Sequence, residues 1–70
     1  MTIIDNVNAW FDNLSFYDME LLTGIYRYDY IDMYDDDLEA DEMFIEACEN
    51  WWNEYTDESK IAIHNNWFNN

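Results

Sequence analysis

The chain reads as all-α: a single acidic domain, residues 1–70, folded as a compact bundle of four to five short helices. Three observations predict this. Apolar residues recur every three to four positions along most of the chain. No two segments alternate with the period of two that paired strands require. Glycine occurs once and proline not at all, while 50% of the residues are hydrophobic and 20% aromatic. A disordered acidic tail would show the opposite balance, so the chain should fold. Seventy residues support one such core and leave no room for a second.

The elements follow in order. Ile3, Val7, Trp10, Phe11 and Leu14 keep the spacing of an amphipathic helix, with Thr2 able to cap it and Asp5 at the third helical position. Ser15 opens a second short helix through Phe16, Met19 and Leu22, which ends before Gly24, a natural C-terminal cap. The segment 25–34 is ambiguous. Ile25 to Tyr30 alternates like a strand, and tyrosine favours strands, yet Tyr26, Tyr30, Met33 and Tyr34 also fit one helical face. A lone strand has nothing to pair with, so this segment is expected to be a helix or an irregular helical turn.

From Asp36 the pattern is clear. Asp36 and Glu39 have the spacing of a capping box, and the helix should run to about Tyr55. At 100° per residue, Phe44, Cys48, Trp51, Trp52 and Tyr55 gather on one side, and Glu39, Glu42, Glu46 and Glu49 on the other within about 80° of arc. Thr56 caps a last helix with Asp57 and Glu58 in its first turn, where the helix dipole favours anions. That helix should carry Ile61, Ile63 or His64, Trp67 and Phe68 toward the core.

Charge is the unusual feature. Seventeen carboxylates face two cations, Arg27 and Lys60, for a net charge of −15. Small domains selected only for solubility carry a net charge of roughly 2 to 8 with both signs interspersed. A compact domain of this length has a radius of gyration of roughly 11 Å and a diameter near 28 Å. On that diameter one net charge falls every ~1.9 Å, against about 1.7 Å of axis per phosphate in duplex DNA. Such a surface attracts basic proteins and repels nucleic acid and anionic membranes. The carboxylate stripe also has a cost. Glu39–Glu42, Glu42–Glu46 and Glu46–Glu49 are like-charge pairs at helical spacing, each unfavourable by roughly 0.2 to 0.5 kcal/mol.

Other chemistries do not find their parts. Asp35, Asp37, Glu39 and Glu46 occupy positions one, three, five and twelve of an EF-hand count, but Ala40 stands where that loop needs glycine and helix is expected from Leu38. Neither a specific metal site nor a cofactor is expected. His64 is the only histidine, on a tryptophan-flanked helix, and Cys48 falls on the apolar face, where a thiol acts as a small hydrophobe. No phosphate loop, nucleophile elbow or zinc-ligand pair occurs, so the chain is not expected to be an enzyme. The unpaired cysteine, the absence of a signal-peptide pattern at Met1–Asp5 and the lack of a membrane-spanning run point to the cytoplasm.

In size, lack of a catalytic kit and carboxylate excess, above all between Asp29 and Glu58, the chain resembles the DNA-mimic inhibitors of phages and mobile elements. That class includes anti-restriction proteins, anti-CRISPR proteins and inhibitors of uracil-DNA glycosylase. Its members have unrelated folds, so the resemblance implies a mechanism only. Carboxylates take the places of phosphates in the basic cleft of a nucleic-acid-binding protein, without direct binding to nucleic acid. The expected partner-binding residues are Asp29, Asp32, Asp35, Asp36, Asp37, Glu39, Glu42, Glu46 and Glu49. Tyr28 and Tyr30 join them, because tyrosine beside carboxylate suits an interface. Two other readings stand beside this one: an acidic immunity or antitoxin-type partner of a basic toxin, and a polymerase-binding regulator acting through its tyrosines. A monomer and a homodimer with a longer charged face both fit the sequence.

Overall fold

A computed structural model describes residues 2–69, which form five α-helices and, among the described residues, no strand. Helix α1 spans Ile3–Asp12, α2 Phe16–Thr23, α3 Arg27–Met33, α4 Asp37–Asn53 and α5 Asp57–Asn69. The boundaries come from short polar side chains. Thr2 and Asp5 form a reciprocal capping box at the start of α1. Ser15 accepts a hydrogen bond from the Asp18 N–H at the start of α2, and Gly24 ends it in the left-handed region at φ 75°. Thr56 accepts from the Ser59 N–H as α5 begins.

One local expectation is corrected. Asp36 caps α4 alone, accepting from the Leu38 N–H at 2.9 Å, without the return bond expected from Glu39. The carboxylate turns to the nearer amide two residues on, and Glu39 stays exposed. The helix expected in segment 25–34 is present as α3 over Arg27–Met33, and its N-cap, Tyr26, makes no side-chain cap bond. The Glu20 carboxylate accepts from the Arg27 N–H at 2.9 Å instead, so α2 supplies the cap that α3 lacks.

The core lies where α1, α2 and α4 meet. Val7, Phe11, Met19, Phe44, Cys48 and Trp52 are buried together, and Ala40 is buried one turn before Phe44. On α4 the buried residues Ala40, Phe44, Cys48 and Trp52 recur every four positions. Phe11 stacks on Trp52 with ring centroids 4.5 Å apart, and the Trp52 indole N–H donates to Asn8 Oδ1 at 2.9 Å. Burying an aromatic pair stabilises by roughly 0.5–1.5 kcal/mol beyond the area it hides. Helix α5 closes one side through Trp10, which meets His64 and Trp67 edge-on at 4.9 and 6.0 Å. Both Ile63 and His64 are half-buried.

Three predicted core positions lie outside. Ile3 is 69% exposed because the first turn of α1 projects beyond the core, and Ile4 packs inward in its place. Phe68 is 63% exposed; it covers Trp10 and His64 from outside, with no further element over it. Tyr55 follows the end of α4 and sits at the rim.

The molecule is more elongated than expected, with a radius of gyration of 13.0 Å and extents of 39 × 24 × 18 Å. Fifteen net charges over the 39 Å axis come to one per about 2.6 Å, sparser than the ~1.7 Å of duplex DNA. The near-equality expected for a sphere does not hold for the whole molecule.

Candidate partner-binding surface

Helix α4 positions the central part of the surface. With the core positions turned inward, the residues about 160° round the helix are Glu39, Glu42, Glu46 and Glu49. All four are exposed. From Glu39 to Glu49 they span ten residue steps of helix, about 15 Å at 1.5 Å per residue. Asp36 and Asp37 begin the same helix as cap and first residue, Asp35 lies in the connection before it, and Asp29 and Asp32 project from α3. Each of these five is also exposed. Arg27 on α3 meets Asp41 on α4, and Tyr30 meets Phe44, so the two acid-bearing helices are fixed against each other.

The cations explain why this surface is uncompensated. Arg27 donates through Nε to Asp41, and its guanidinium lies 5.1 Å from the Phe16 ring centre. The Asp41 hydrogen bond and the nearby charges of Asp41, Asp37 and Glu20 hold the Arg27 pKa above its usual value, against a smaller opposing effect of burial. Lys60 is 9% exposed, with its ammonium 5.5 Å from the centre of the Trp52 ring. Both cations are thus engaged within the fold, and among the described residues neither forms an ion pair with Glu39, Glu42, Glu46 or Glu49, although Lys60 and Glu49 line one cavity. Asp41, the acid of α4 absent from the predicted set, is its half-buried one, and its partner is Arg27.

The predicted tyrosines separate. Tyr28 is 68% exposed, and Tyr26 58%. Tyr30 is half-buried, with its ring 6.3 Å from Phe44 and packed against the core. The structure therefore places Tyr28 at the surface beside the α3 acids and Tyr30 in the packing of α3 on α4. Tyr17 on α2 is 66% exposed and was not singled out by the sequence, because it carries no periodic or charge signal of its own.

The EF-hand count falls in the wrong backbone. Asp37 to Glu46 belong to α4, so helix stands where a calcium loop would turn. Among the described residues no cluster of three or more His, Cys, Asp or Glu side chains is arranged to hold a metal ion. No helix among the described residues is long and apolar enough to cross a membrane. Compared with family models, curated proteins and solved structures, the chain finds no match.

Proposed function

We propose that this protein is an acidic DNA-mimic inhibitor, one that occupies the basic nucleic-acid-binding cleft of a host defence or DNA-processing protein. The observation that carries the reading is the concentration of exposed acid on α3 and α4. Nine exposed carboxylates lie on α3, on the α3–α4 connection and along α4, while Arg27 is taken up by Asp41 and Lys60 is buried against Trp52. The ridge meets a basic cleft with one sign of charge, which accelerates encounter and orients the complex. Its carboxylates stand for phosphate oxygens, and the arginines and lysines that hold a phosphate backbone hold them in the same way. The overall charge spacing is wider than in duplex DNA, so the reading assigns the mimicry to this ridge and not to the whole surface.

Exposed Tyr26 and Tyr28 favour a second reading, a regulatory or immunity-type partner that binds a basic protein without following a DNA path. One experiment separates the two. A basic target is captured and identified, then titrated with labelled DNA with and without this protein. The mimic reading expects mutual displacement, and a stable ternary complex with DNA still in its cleft overturns it. Glu42→Lys with Glu46→Lys should abolish displacement without loss of stability. The change makes the 39–42 and 46–49 pairs attractive and leaves 42–46 like-charged, a net gain on the order of 1 kcal/mol. Full displacement by that double variant removes the ridge from the mechanism.

A further inference from the structure

We propose that the aromatic groove between α2, α4 and α5 is a second contact site, and that it takes an arginine side chain from a basic segment of a partner protein. The groove has a volume of about 280 Å³ and is lined by Leu22, Trp51, Tyr55, Ile63, Asn66 and Trp67. Trp51 lies on the side of α4 away from the glutamate ridge and Tyr55 just beyond the end of that helix, so the groove is no extension of the ridge.

Its chemistry is specific. The Trp51 and Tyr55 rings meet at 62° with centroids 4.9 Å apart, and Trp67 adds a third ring to the lining. Leu22 and Ile63 supply apolar surface for an alkyl stem. At the Tyr55 end is the α4–α5 corner, where Glu54, Asp57 and Glu58 are all exposed. Aromatic faces attract cations, and a guanidinium can stack on a ring while its fork reaches a carboxylate.

The charge of the molecule selects the occupant. Arg27 and Lys60 are engaged elsewhere in the fold. A second copy would bring −15 against −15. A basic segment gains from both the rings and the acidic corner, whereas a neutral apolar one gains only from the rings. The inference rests on the partner being a basic protein, and it does not require the α4 ridge to trace phosphates.

The test titrates the full chain with acetyl-arginine amide, acetyl-lysine amide and acetyl-leucine amide, following each tryptophan indole N–H by NMR. Saturable shifts are expected at Trp51 and Trp67, with arginine about three-fold tighter than lysine and leucine weakest. Trp67→Leu keeps the apolar lining and removes a ring; it should weaken arginine about three-fold with the far-UV circular dichroism unchanged. Glu42→Lys with Glu46→Lys should leave the groove shifts intact, so failure of the mimic mechanism and failure of the groove are told apart. Leucine binding as tightly as arginine would overturn the proposal. So would the absence of any saturable change at Trp51 and Trp67.

Discussion

Cys48 shows what burial does to a single residue. It is fully buried between Phe44 and Trp52 on the inner face of α4. Burial pushes its thiol pKa up, against a weaker opposing contact with the Thr23 hydroxyl 3.9 Å away. The unfolded chain should therefore release that proton first as pH rises. Between the unfolded and folded pKa values the native state binds more protons, and stability falls with pH. Unfolding in urea should lose stability from pH 7 to above the ordinary thiol pKa of ~8.5 more steeply for the native sequence than for Cys48→Ala, by at most about 1.4 kcal/mol per pH unit. Equal losses in the two would mean that the thiol is not linked to folding. The sequence placed Cys48 correctly because its neighbours on the apolar stripe repeat every three to four residues. It placed Ile3 and Phe68 wrongly by the same rule, since periodicity tells which face a residue occupies and not whether anything covers that end of the helix. Lys60 had no local signal, because its burial depends on the Trp52 ring from another helix.

At the scale of the element, the caps divide what was legible from what was not. Thr2, Ser15, Gly24 and Thr56 act within a few residues of themselves, so the ends they set could be read directly. Helix α3 could not be, because its first amide is satisfied by Glu20, a residue of the preceding helix. A contact between two elements leaves no mark in the spacing of either. Glu20→Ala should cost about 1 kcal/mol, the typical value of a lost helix cap. Amide exchange should accelerate in α3 while α1 stays protected, and Glu20→Gln, which keeps an acceptor, should fall between. Unchanged exchange in α3 would show that the helix is held by its contacts with α4, Tyr30 on Phe44 and Arg27 with Asp41, and not by the cap. The α4 ridge was legible for the opposite reason. Four glutamates repeat on one face of one helix, and all four are exposed. The division of the tyrosines was not legible, because Tyr28 and Tyr30 differ only in which side of α3 meets α4.

For the whole molecule, the balance is between a thin core and a strong field. Six mutually buried side chains hold an elongated body of net charge −15. Nearly all the carboxylates are exposed; Asp18, Glu20 and Asp41 are half-buried. Their mutual repulsion opposes the compact state, and it acts over the screening length, about 30 Å at 0.01 M salt and about 8 Å at 0.15 M. The shorter length is less than the 18 Å thickness of the molecule, so at physiological salt much of the repulsion across the body is already removed. Raising sodium chloride between those limits should therefore raise the melting temperature. A relief of 1 kcal/mol corresponds to about 4–8 °C in a domain of this size. Association with a basic partner should weaken over the same range, because the attraction is screened by the same ions. Magnesium chloride at matched ionic strength tests the mechanism of stabilisation. An equal shift in melting temperature means diffuse screening, whereas a much larger shift at millimolar magnesium would mean that the cation binds the ridge. A flat or falling melting temperature in sodium chloride would show that charge repulsion does not limit this fold. The inward engagement of Arg27 and Lys60 would then need a local explanation, in the packing each provides over Phe16 and Trp52.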